Sequence, residues 1–141
     1  MFVILDTNHL RELVSDESAT GLRLRQRIAE HQAEVFTSII VVEESLRGWM
    51  ALLNKQQHGL DQVETYTRMQ AALETSVRLG VLPFDTDAAM IFTRLRSVFR
   101  RSGTMDLKIA SIALAHEAML LTRNLEDFRL IPELQVANWL D

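Results

Sequence analysis

The chain has no cysteine, so disulfide stapling, a cysteine nucleophile and thiolate metal sites are all excluded. Prolines number two and glycines five in 141 residues, and 48% of the residues are hydrophobic against 24% charged, which is not the balance of a disordered chain. There is no glycine-rich phosphate loop and no G-x-S-x-G, which removes two common routes to phosphate binding and acyl transfer. Long hydrophobic runs are missing too. The apolar start ends after Leu5 and lacks a basic flank, so it reads as neither a signal peptide nor a membrane span, and a cytoplasmic protein with no membrane association is expected. Nor is there an excess of positive charge: a net −4 argues against a protein that holds nucleic acid mainly through a basic surface. The four histidines, His9, His31, His58 and His116, show no paired spacing, which argues against zinc. The length suits a single domain, 1–141, with one core.

What is present begins with Met1-Phe2-Val3-Ile4-Leu5, an apolar run of the kind that forms a parallel strand buried on both faces. It stops at Asp6. In open α/β sheets ligands sit at the carboxyl ends of strands, so this carboxylate is delivered to the usual place for chemistry. The alternative role for Asp6 is a helix N-cap for a short helix over residues 9–14.

Helical spacing follows over residues 18–31, then a short strand at 33–37, and Ser38 is a good N-cap for a helix running to about Asn54. A helical wheel separates the two adjacent glutamates of that helix. Ile39, Val42, Leu46, Met50 and Leu53 make one apolar stripe, and Glu43 falls beside Arg47 with the spacing of an i,i+4 pair. Glu44 falls among Ile40, Val41, Gly48, Ala51 and Leu52, where an unpaired carboxylate is costly unless something ligates or neutralises it. A polar turn at 55–59 leads to a second long helix ending near Leu79, with Val63, Tyr66, Leu73 and Val77 on one side. Together the two make a helical hairpin, whose apolar residues suit the core or a partner.

Residues 81–84 read as a strand, Asp85 as an N-cap, and 86–101 as a helix rich in arginine at Arg94, Arg96, Arg100 and Arg101; Arg23, Arg25 and Arg27 form another basic group. Residues 105–119 are apolar on nearly all sides, as in a buried helix, with Asp106 in its first turn. A fourth strand at 119–122 ends before Asn124 and Asp127, and 134–139 alternates like an edge strand. Strands alternating with helices imply α/β class, a three-layer α/β/α sandwich on a mainly parallel sheet.

Asp6, Glu44, Asp106 and Asp127 are then the acids that such a fold can gather. Carboxylates brought together repel unless a cation lies among them, and Mg²⁺ or Mn²⁺ is the natural occupant for oxygen ligands. Such a site suits hydrolysis of a phosphodiester, because a divalent ion activates water and neutralises charge on the phosphate.

Asp6-Thr7-Asn8 after a hydrophobic start, Ser38 to Glu44 with Gly48 beyond, Asp106-Leu107-Lys108-Ile109-Ala110 and Thr122-Arg123-Asn124-Leu125-Glu126-Asp127-Phe128 occur in this order along the chain. Together they resemble the PIN-domain proteins, most closely the VapC-like ribonuclease toxins of bacterial type II toxin–antitoxin pairs. The resemblance implies a PIN fold and a Mg²⁺- or Mn²⁺-dependent endoribonuclease acting on RNA, commonly a homodimer held inactive by a cognate antitoxin. It places the acidic catalytic and metal positions on Asp6, Glu44, Asp106 and Asp127, and accessory polar positions on Asn8, Thr122 and Asn124. Two other readings stand beside this one: a PIN scaffold that binds RNA or protein without cutting, and an RNA-processing nuclease outside any toxin system.

Overall fold

The computed structural model describes residues 1–15 and 18–141. In chain order the elements are β1 (Phe2–Leu5), α1 (Thr7–Val14), α2 (Ala19–Glu30), β2 (Glu34–Ser38), α3 (Ile39–Lys55) and α4 (Gly59–Leu79). They continue with β3 (Val81–Leu82), α5 (Thr86–Val98), α6 (Thr104–Ala115), β4 (Met119–Leu121), α7 (Leu125–Arg129) and β5 (Val136–Ala137). The strands form one sheet in the order β3-β2-β1-β4-β5. Every pairing is parallel, and helices flank the sheet, giving the α/β/α sandwich expected from the alternation of elements.

β1 is central because it is the most apolar strand: Val3, Ile4 and Leu5 are wholly buried, as are Leu120 and Leu121 of the neighbouring β4. α6 completes the core with Leu107, Ile109, Ala110, Ile112 and Ala113, all buried, which accounts for its lack of a polar face. β5 lies at the sheet edge, as its alternating sequence indicates. No helix among the described residues is long and apolar enough to cross a membrane.

The strand order has a chemical consequence. From β1 the chain winds outward through β2 to β3, then returns to lay β4 and β5 on the other side of β1. The direction of winding reverses between β1 and β4, and in doubly wound sheets the crevice outside the carboxyl ends of such a strand pair is where ligands bind. Those two ends carry Asp6 and Thr122, tied together by Asp6 N–H donating to the Leu121 carbonyl at 3.1 Å.

Several elements depart from the sequence reading. The helix expected over 105–119 ends at Ala115, because a turn through His116 and Glu117, the latter at φ 52°, redirects the chain into β4. α5 stops at Val98 rather than Arg101, with Phe99 leaving helical geometry at φ −103° and ψ 62°. The short α7 carries no sequence periodicity long enough to announce it. On α4 the apolar row faces outward: Val63, Tyr66, Leu73 and Val77 are exposed, while Thr65 and Ser76 are buried. In α3 it is Ile40 and Val41, on the side of Glu44, that enter the core, while Ile39 and Met50 of the apolar stripe are exposed. The hairpin itself forms as expected, closed by Gln62 Nε2 donating to the Leu53 and Gln56 carbonyls and by Thr65 Oγ1 donating to Gln56 Oε1 at 2.9 Å.

The arginine groups differ in kind. Arg23 and Arg27 donate to the carbonyls of Leu140 and Asn138, and Arg25 to that of Leu13, so the α2 group fastens α2 to the carboxyl-terminal segment and to α1. Arg94, Arg96, Arg100 and Arg101 stand exposed on and after α5.

Candidate acidic site

Asp6 leaves β1 as the N-cap of α1, its Oδ1 accepting the His9 backbone N–H at 3.0 Å. Capping and a role in an acidic site are therefore not alternatives, since the capping bonds use only this one oxygen. Thr7 follows, and its hydroxyl donates to Glu44 Oε2 at 2.8 Å. One junction thus orients two acids. Glu44 lies in the second turn of α3, which Ser38 caps by accepting the Val41 N–H at 3.2 Å. Its neighbour Glu43 turns away and pairs with Arg47 at 2.6 Å on the exposed face.

Asp106 sits in the first turn of α6, whose N-cap is Gly103 with no side-chain capping bond. Burial pushes its carboxyl above the ordinary aspartate value, and the charges of Glu44, Asp127 and Asp6 push in the same direction. The four acids, carried by four separate elements, are thus near enough for the other three charges to act on Asp106. Asp127 is exposed in the first turn of α7 and accepts from Asn124 Nδ2 at 2.9 Å. Asn124 N–H donates to Oγ1 of the wholly buried Thr122 at 3.0 Å, so these two polar residues shape the loop that carries Asp127. Asn8 lies half-buried in the first turn of α1.

Among the described residues no lysine or arginine forms a salt bridge with Glu44, Asp106 or Asp127. The four acids supply only oxygen donors, the set preferred by a hard divalent cation. No three acidic or histidine side chains among the described residues form a group able to chelate an ion unaided. Mg²⁺ does not need one, since it binds through one or two carboxylates and keeps several waters, so the donor set fits.

A cleft of about 870 Å³ is lined by Glu44, alone of the four acids, together with Thr7, Arg11, Trp49, Leu52 and Arg68. Its wall includes Glu12, whose carboxyl is held below its ordinary value by hydrogen bonds from Thr20 and Ser18 at 2.7 and 2.8 Å.

The residue that sequence reasoning passed over is His9. It is wholly buried, with Nδ1 3.1 Å from Asp6 Oδ1 and Nε2 accepting the Trp139 N–H at 3.2 Å. Its position three residues after Asp6, on the same face of α1, is the signal that could have found it.

Comparison with known proteins agrees with this architecture. Ribonuclease VapC2 of Rickettsia felis is 25% identical over 144 residues, spanning 99% of this chain and 98% of that protein. Among solved structures, VapBC2 from Rickettsia felis bound to a promoter DNA fragment superposes with a TM-score of 0.74 at 24% identity, covering 99% of both chains. VapBC-1 from nontypeable Haemophilus influenzae superposes at 0.78 with 22% identity over the full length of both. The family model described as PIN domain matches residues 3–134, and the chain belongs to that family.

Proposed function

We propose that the protein is a divalent-metal-dependent endoribonuclease, the toxin of a type II toxin–antitoxin pair, that hydrolyses RNA at the site formed by Asp6, Glu44, Asp106 and Asp127. The observation that carries this reading is the placement of Asp106, partly buried where the charges of Glu44, Asp127 and Asp6 act on it, with no lysine or arginine among the described residues forming a salt bridge to any of the four. Such an arrangement is costly in isolation, and a bound cation relieves it. The 25% identical relative, named a ribonuclease, supports the activity. The solved toxin–antitoxin structures of the same fold support an antitoxin as partner.

When bound, Mg²⁺ or Mn²⁺ supplies a polarised water and charge neutralisation at the phosphate. The chain's own residues do the rest. Asp6, Glu44 and Asp106 would hold the ion, one or two of them directly and the rest through its waters. Thr7 holds the side chain of Glu44, and Asn124 orients Asp127 at the exposed rim, where it would add a further carboxylate for the ion. The adjoining cleft receives the RNA strand, with Trp49 offering a ring on which a base stacks and Arg11 facing its phosphates. The exposed arginines on and after α5 are a second basic group within an otherwise acidic protein. The outward apolar row of α4 contacts a partner chain, a second copy or the antitoxin.

A Mn²⁺ titration followed by thermal denaturation tests the reading. The melting temperature rises with concentration, corresponding to about 2.7 kcal/mol when Mn²⁺ is about a hundredfold above its Kd. No shift in the wild type, together with RNA cleavage that survives EDTA, would overturn it.

A further inference from the structure

His9 is a wholly buried histidine whose two ring nitrogens are both engaged, one by the acidic site and one by the opposite end of the chain. The Trp139 backbone N–H can only donate, so the Nε2 that accepts it carries no proton. The ring proton is therefore on Nδ1, and it is donated to Asp6 Oδ1. The same oxygen accepts the His9 backbone N–H, so two donors from one residue converge on Oδ1, while Oδ2 has no protein partner among the described residues.

Trp139 is itself firmly held. Its ring stacks on His31 with centroids 4.7 Å apart. The carbonyls on either side of it, of Asn138 and Leu140, accept from Arg27 and Arg23 at 3.1 and 2.6 Å. Leu140 is wholly buried. The carboxyl-terminal segment thus fixes the imidazole, and the imidazole fixes the carboxylate.

We propose that His9 is a positioning residue: clamped by the Trp139 N–H, it locks the Asp6 carboxylate so that Oδ2 is presented to the divalent ion in one orientation. The proposal rests on the metal reading of the acidic site. A carboxylate held in this way has less freedom to lose on binding, and partners of ligating groups typically affect metal affinity by about 10–100-fold. His9 touches neither substrate nor reacting atoms and acts only through Asp6.

The test combines a spectroscopic signature with metal affinity. Long-range ¹H–¹⁵N spectra of the folded wild type, without metal, will show His9 as the neutral Nδ1–H tautomer; an Nε2–H tautomer would overturn the proposal. Mn²⁺ affinity is then measured by calorimetry for the wild type, His9→Phe and His9→Gln, with metal-free melting temperatures recorded alongside. His9→Phe removes both bonds and will weaken Mn²⁺ binding by about 10–100-fold. His9→Gln, which keeps a donor and an acceptor on one side chain, will restore affinity close to wild type. A folded His9→Phe protein that binds Mn²⁺ as tightly as wild type would overturn the proposal. If His9→Phe does not fold, the tautomer decides. Failure of the wild type to bind Mn²⁺ would instead overturn the metal reading, and the tautomer would still report whether His9 clamps Asp6.

Discussion

Thr7 Oγ1 donates to Glu44 Oε2 at 2.8 Å, joining the residue after Asp6 to the acid carried by α3. The bond spans two elements distant in sequence and sets the side chain of Glu44 from the same turn that presents Asp6. Thr7→Val keeps the β-branched shape and removes only the donor. Its cost in stability will be about 1 kcal/mol, whereas nuclease activity will fall by about 10–100-fold, the range for lost partners of metal-ligating groups. Thr7→Ser will retain most activity. Equal activity for the valine and serine variants in a single-turnover assay would remove Thr7 from the site.

The adjacent glutamates give a sharper contrast. Glu43 pairs with Arg47 on the exposed face of α3, so Glu43→Gln will lose at most a few tenths of a kcal/mol and keep its nuclease activity. Glu44→Gln will be inactive while remaining folded by circular dichroism. The opposite ordering would place Glu43 in the site.

Asp106 predicts a pH dependence whose sign is set by its raised carboxyl. Below the ordinary aspartate value both folded and unfolded forms hold the proton, and the group contributes nothing. As pH rises through that value and then the higher folded one, the unfolded chain releases its proton first, so folding loses stability. Metal-free Asp106→Asn will therefore melt above metal-free wild type at neutral pH, and the gap will close as pH falls toward 4. A gap that widens on acidification would contradict the burial and charge crowding assigned to Asp106. Millimolar Mn²⁺ will narrow the neutral-pH gap by stabilising the wild type alone.

The parts of the fold legible in the sequence were those governed by local rules. The continuous apolar run Val3-Ile4-Leu5 announced a strand buried on both faces, the all-round apolarity of α6 a buried helix, and Ser38 and Asp85 the starts of α3 and α5, where both accept the expected capping bonds. The wheel separated Glu43 from Glu44 because a 100° step puts neighbours on different faces. What stayed hidden depends on distant partners. The His9–Trp139 bond links residues 130 apart, and no periodicity encodes it. The outward face of α4 was equally hidden, because an apolar row has the same spacing whether it meets a core or a second protein.

That α4 row carries its own prediction. Val77 is 75% exposed, so Val77→Glu will leave the isolated protein's melting temperature nearly unchanged, within about 0.5 kcal/mol, and will weaken self-association or antitoxin binding. Sedimentation of the protein alone and titration with the proposed antitoxin measure the two. Unchanged association for both Val77→Glu and Val63→Glu would move the interface away from α4.

The most direct measurement is the chemistry of the cut ends. A site of carboxylates and a divalent ion hydrolyses the phosphodiester with water and does not require the RNA 2′-hydroxyl as nucleophile. Cleavage by the Mn²⁺-loaded protein will leave a 5′-phosphate and a 3′-hydroxyl, will persist on a substrate with a single 2′-deoxy sugar at the scissile position, and will be absent for Asp106→Asn. A 2′,3′-cyclic phosphate product, with complete resistance of the deoxy substrate, would contradict the account.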